Sequence, residues 1–166
     1  MSRSEIFIHP RFNSDNFVNY DLGLAKLKKP STKKPAPLCA ADGSDNAPGT
    51  MGTILGWGTS KHSVFSRNLE TVDVEIIADT ECNEKYGTSV ANDSVLCAGT
   101  GNGKVACTGD SGGPLLANDA VVGIVISGGV PKCGAAPGLY ARVANLLHYN
   151  NDIVDGGSSG NVTGKL

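Results

Sequence analysis

No apolar run in these 166 residues is long enough to span a bilayer, and the N-terminus shows no charged segment followed by an apolar one. Neither a membrane span nor a secretory leader is expected within the chain. A dominant charge of one sign is also missing: 14 Lys and Arg stand against 16 Asp and Glu, mixed along the sequence, for a net charge of −2. That argues against a nucleic-acid or membrane partner held by bulk charge. One stretch departs from the balance, KLKKPSTKK at 26–34, which Pro30 and Pro35 interrupt and which reads as a solvated connector. Internal repeats are absent, and strong amphipathic helices are few. The cysteines lack metal-ligand spacing, so no metal and no other cofactor is expected.

What the chain does have is five cysteines, Cys39, Cys82, Cys97, Cys107 and Cys133, a number that suits an oxidising compartment. Two glycosylation sequons, NDS at Asn92 and NVT at Asn161, point the same way. A secreted, extracellular protein is therefore expected. The mismatch between that location and the missing leader implies that the natural N-terminus lies upstream of Met1.

The length suggests one domain able to bury roughly two thirds of its unfolded surface. Short strand-like runs recur between glycine-rich turns: 5–8, 22–27, 52–57, 70–77, 94–98, 120–126 and 138–143. In ETVDVEII, 70–77, alternation puts Val72, Val74 and Ile76 on one face. Regularly spaced short strands predict an all-β sandwich or barrel. Two helices are expected, a short one with Asp79 as N-cap and another over 144–154, where Leu146, Leu147, Tyr149 and Ile153 form an imperfect stripe. Residues 156–166 have no periodicity and read as a mobile tail.

The chemistry gathers at GDSGGPLL, 109–116. Ser111 stands where a nucleophile would, but a serine hydroxyl is weak at neutral pH without an adjacent base. Acyl transfer also needs donors aimed at the oxygen that becomes negative. The backbone N–H groups of Gly109 and Ser111 can supply them, and Gly112 and Gly113 permit a tight turn that presents the hydroxyl.

Around that motif an ordered series runs through the chain: HPRFN 9–13, YDLGLAKL 20–27, GWG 56–58, LCAG 96–99, CTGDSGGPL 107–115 and GLYARVANLLHY 138–149. Together they resemble the trypsin/chymotrypsin family of serine endopeptidases. The resemblance implies a double β-barrel. Residues 1–47 would be a remnant of the first barrel and a Lys-rich connector, 48–155 the complete second antiparallel barrel with a C-terminal helix, and 156–166 a flexible tail. It implies Asp21 as the carboxylate that orients a catalytic imidazole, and Ser127 as the serine that hydrogen-bonds this aspartate. It pairs Cys82 with Cys97 and Cys107 with Cys133, each bridge worth about 3 kcal/mol in the chain-entropy picture. Cys39 is left either as a buried thiol or as a partner for a segment further upstream.

The family's catalytic histidine stands dozens of residues before the aspartate in an Ala-Ala-His-Cys context, and only twenty residues precede Asp21 here. None of His9, His62 and His148 matches it; His9 falls at a common surface position. The general base is therefore expected to be absent from this chain. Relatives also pair a freed amino terminus with the aspartate before the serine, here Asp110. The start MSRSEIF offers no such group, so Asp110 is expected without its partner and the pocket zymogen-like. Substrate preference rests on Val105, six residues before Ser111, where trypsin-like members carry an aspartate for Lys or Arg. With Gly129 and Gly138 keeping the pocket open, apolar side chains are the expected preference. Gly128 stands where the family has a tryptophan, which removes a pocket wall.

Two functions follow from the resemblance. One is a serine endopeptidase acting on a protein or peptide substrate, inactive in the chain as given. The alternative is a non-catalytic secreted homologue that binds a protein target, in the style of the glucanase inhibitors of oomycetes.

Overall fold

A computed structural model of the chain describes residues 3–60 and 66–162. Six strands close into an antiparallel barrel: β3 (Met51–Gly56), β4 (Glu70–Ile77), β5 (Val95–Ala98), β6 (Pro114–Ala117), β7 (Ala120–Ser127) and β8 (Gly138–Arg142). Around the barrel the order is β3-β4-β5-β8-β7-β6. In β4 the alternation read from sequence holds: Val74 and Ile76 are buried, Val72 packs on the same core, and Thr71, Asp73 and Glu75 are exposed. β7 is apolar nearly throughout because both of its faces are covered. Register pairs Ile54 with Val72, Leu96 with Tyr140 and Val125 with Tyr140, so each of the six strands contributes to one buried cluster.

A second buried cluster lies between the barrel and two helices, α1 (Asp79–Tyr86) and α2 (Val143–Val154). α2 follows β8 directly and buries Val143, Ala144, Leu146 and Tyr149, close to the expected span. α1 forms where expected but starts differently. Asp79 is its first helical residue rather than its cap, and its carboxylate is drawn to the guanidinium of Arg142 at the end of β8. An ion pair with a residue 63 positions away outcompetes the local backbone as a partner for this side chain.

The N-terminal part forms a three-stranded sheet in the order β2-β1-β9, from β1 (Arg3–Ile8), β2 (Gly23–Leu27) and β9 (Asn161–Val162). The last strand places order at Asn161–Val162 within the segment 156–166 read as a mobile tail, of which 163–166 lie outside the described residues. Val162 and Asn161 pair with Ile6 and Phe7, and the Ile8 N–H donates to the Gly160 carbonyl at 2.8 Å. An otherwise open sheet edge supplies these bonds, and no hydrophobic period is needed for them.

Between the sheet and the barrel runs the lysine-rich connector, whose residues 28–38 are exposed. It is tied to β7 where the Val121 N–H donates to the Pro37 carbonyl and the Cys39 N–H to the Val121 carbonyl. Disulfides join Cys82 to Cys97 and Cys107 to Cys133, with Cα atoms 6.2 and 5.4 Å apart. Cys39 is free and buried; burial, with the Asp45 carboxylate adding to it, pushes its thiol up to about 11.

Candidate active site

Ser111 is exposed on the turn that leads into β6. The turn is fixed on both sides. Gly112 donates to the Val125 carbonyl at 2.9 Å and Gly113 to the Asp110 carbonyl at 2.8 Å. Gly109 and Gly112 adopt φ of 98° and 79°, which side-chain-bearing residues rarely do. The N–H groups of Gly109 and Ser111 donate to no group among the described residues, so both are free to meet an acceptor.

Asp21 enters from the other side, at the turn before β2. The His9 N–H donates to the Leu22 carbonyl at 2.9 Å, extending the β1–β2 ladder to this point, and the Leu22 N–H closes onto the Tyr20 carbonyl at 2.7 Å. Asp21 and Ser111 line one cavity of about 550 Å³, whose walls include Leu24, Leu38, Ile124 and Leu146. Burial in this largely apolar setting pushes the Asp21 carboxyl above its ordinary range.

No histidine among the described residues lines that cavity. His9, expected at the surface, is half-buried instead. Its ring stacks on Tyr20 at 4.9 Å and meets Tyr149 edge-on at 4.8 Å, and its Nδ1 accepts the Arg11 N–H. Burial and then the Arg11 guanidinium hold it below the usual imidazole range. His148 is exposed on α2, and His62 lies outside the described residues. Ser127 ends β7 opposite Leu139, and no hydrogen bond links it to Asp21 among the described residues.

Asp110 is not left without partners. One carboxylate oxygen accepts the Gly58 N–H at 2.8 Å and the other the Cys107 N–H at 2.9 Å. The site depends on two glycines, because a Cβ at Gly56 or Gly58 would overlap the carboxylate. The sequence predicts that Asp110 has no amino-terminal partner here, and Met1 lies outside the described residues.

The trypsin family model matches residues 1–149. The chain belongs to the trypsin family. Among curated relatives, glucanase inhibitor protein 3 of Phytophthora infestans is 35% identical over 158 residues, covering 89% of this chain and 59% of that protein. Trypsin-2 of Salmo salar is 37% identical over 147 residues, covering 86% and 62%. A trypsin of Saccharopolyspora erythraea is 34% identical over 142 residues, covering 84% and 62%. The chain thus spans about 60% of the length of these relatives. A solved structure of neuropsin, a serine protease expressed in the limbic system of mouse brain, superposes with a TM-score of 0.82 at 28% identity, covering 93% of this chain and 72% of that one.

Beside Ser111, the backbone at the three glycines expected to line the trypsin-family slot runs close to its neighbours. Gly128 lies so near the Ala106 carbonyl that a Cβ there would overlap the oxygen, and a Cβ at Gly129 would come within 2.4 Å of the Ala136 carbonyl oxygen. Above Gly138, the Val105 Cγ2 and the Tyr140 hydroxyl come within 2.8 and 2.7 Å of where a Cβ would sit. Val105 lines a different cavity of about 500 Å³, together with Asp110, Glu70 and the Cys107–Cys133 bridge.

The Gly56–Gly58 seat for Asp110 had a signal in the sequence, the GWG triplet, which served there only as a landmark of the trypsin family. The apolar walls supplied by Leu38, Ile124 and Leu146 had none, because they come from three separate elements.

The half-buried state of Asp21 has a measurable consequence. A carboxyl raised in the folded state costs nothing below its unfolded value and its full desolvation penalty above its folded one. Asp21→Asn is therefore expected to stabilise the fold at pH 7, the gain shrinking as pH falls through the carboxylate range and vanishing near pH 3. Urea unfolding at the two pH values checks this; equal stabilities at pH 7 would show that burial imposes no cost on the charge.

Proposed function

We propose that the protein is a secreted serine endopeptidase in which Ser111 is the nucleophile. In this reading Ser111 Oγ attacks a peptide carbonyl while an imidazole held by Asp21 takes the proton. The N–H groups of Gly109 and Ser111 receive the negative oxygen, and the same imidazole returns the proton to the leaving amine. The observation that supports it is the shared cavity, with the Asp21 carboxyl and the Ser111 hydroxyl on its lining. In this reading the imidazole belongs to neither described histidine, since His9 is engaged by Tyr20 and Tyr149 and His148 is exposed on α2. With Val105 in place of an acid at the slot, the substrate is a protein or peptide cut after an apolar side chain. Two disulfides suit the extracellular setting. The longest secreted product of the gene is expected to cleave Phe- or Leu-terminated peptides faster than Arg-terminated ones. The opposite preference would refute the role of Val105.

A second reading is favoured by glycine at 128, which offers no side chain to hold a substrate and whose backbone runs close to the Ala106 carbonyl. In that reading the protein binds a protein target without cutting it, and relatives named as glucanase inhibitors suggest a glucanase. A correctly processed long product that hydrolyses nothing but inhibits a β-glucanase would decide for it.

A further inference from the structure

Tyr20, immediately before Asp21, has a φ of 54°, a left-handed conformation that is strained for a non-glycine residue. Strain of that kind persists only where the surroundings impose it, and here the surroundings come from the other half of the molecule. The Tyr20 N–H donates to Ser94 Oγ at 3.3 Å, across 74 residues of sequence. Ser94 is 1% exposed. Its hydroxyl hydrogen has Asn92 Oδ1 at 2.9 Å and Asn19 Oδ1 at 3.3 Å as acceptors. Asn92 Nδ2 donates to Asn19 Oδ1 at 2.7 Å and to the Val90 carbonyl at 3.2 Å. The Ser94 N–H donates to Asn92 Oδ1 at 2.8 Å.

The loop holding Asn92 and Ser94 is itself pinned to the barrel. Arg142 donates from Nε to the Asn92 carbonyl and from Nη2 to the Val95 carbonyl, while also pairing with Asp79. On the opposite side of the linkage, the Tyr20 ring is stacked by His9, with the Arg11 guanidinium 4.1 Å from its centroid. Backbone and ring of Tyr20 are thus both gripped, and the three-residue turn about Asp21 starts from a fixed point.

We propose that Asn19, Asn92 and Ser94 form a positioning device that holds Tyr20 in its left-handed turn and so aims Asp21 into the cavity it shares with Ser111. What Asp21 does there rests on the endopeptidase reading, but the aiming does not. Relaxing Tyr20 to negative φ would rotate the following residue and hand its carboxyl to water. The device also absorbs one of the sequons: both Nδ2 hydrogens of Asn92 are committed and the Ser94 hydroxyl is buried, so in this fold the pair acts as a clasp.

The test reads Asp21 in the chain as it stands, with no catalysis required. Carbon-13 NMR titration of the Asp21 carboxyl, with the Tyr20 HN–Hα coupling, is measured for the parent and for Asn19→Ala, Asn92→Ala and Ser94→Ala. The expected result is a downward move of the Asp21 midpoint and a changed Tyr20 coupling in the variants, with amide signals of Leu96, Val125 and Tyr140 in place. A part that merely stabilised the barrel would move those core signals or the unfolding transition while leaving the Asp21 midpoint where it was. Should Ser94→Ala fail to fold, Asn19→Ala decides, since Asn19 is only half-buried. An unchanged Asp21 midpoint and Tyr20 coupling in folded Asn19→Ala and Asn92→Ala overturns the proposal. The titration is independent of activity: an inert long product would refute the endopeptidase reading and leave the Asp21 midpoints untouched.

Discussion

Peptide hydrolysis by the 166-residue chain is expected to run about a millionfold below that of a complete Ser–His–Asp centre, because the members of such a centre act as a unit. Ser111 and Asp21 share a cavity, yet His9 is engaged by Tyr20, Tyr149 and the Arg11 N–H, and His148 is exposed on α2. Free N–H donors at Gly109 and Ser111 can still give roughly a thousandfold over water where they are well shaped. Labelling of Ser111 by a fluorophosphonate, followed by mass spectrometry, measures the nucleophile directly, and peptide turnover measures the whole cycle. Both are expected to be near background. Brisk labelling that disappears in His62→Ala would place a base on the segment outside the described residues. Brisk labelling that survives His62→Ala would mean that Ser111 needs no imidazole to react.

Gly128→Ala is expected to destabilise the protein by about 3 kcal/mol, at the upper end of what overpacking costs. The added methyl would meet a backbone oxygen, that of Ala106, and backbone cannot rotate away as a side chain can. The neighbouring chain is further restrained by the Cys107–Cys133 bridge. Gly23→Ala serves as the control: the nearest atom to its new methyl is the Phe7 carbonyl oxygen at 3.5 Å, an ordinary contact, and the expected change is within about 0.5 kcal/mol. Urea unfolding of both variants gives the comparison. Equal stabilities would show that the Gly128 backbone does not lie against the Ala106 carbonyl.

The parts of the fold that are legible in the sequence are those where the deciding contacts repeat locally. β4 alternates because one face meets the barrel core, and α2 carries its stripe because one side meets β7. The turn around Ser111 is legible for a related reason, since Gly109 and Gly112 meet a local demand for positive φ. Legibility fails where a distant partner decides. Asp79 suits a cap by its local context, but Arg142 claims it; β9 is made by the free edge of β1; and the tight fit at Gly128 comes from the Ala106 carbonyl on a separate segment. Asn92 and Ser94 read as a sequon because their tripeptide is local, while their partners Asn19 and Tyr20 are 73 and 74 residues away.

The seat of Asp110 has a consequence for anyone moving this serine turn into another scaffold. The turn cannot travel alone. Its aspartate is lodged against Gly56 and Gly58, the latter 52 residues upstream, so a host with any side chain at either place would evict the carboxylate. The transplantable unit is the turn together with the end of β3 and the two residues beyond it, and a library that randomises GWG while preserving GDSGG is expected to return glycine at both outer positions.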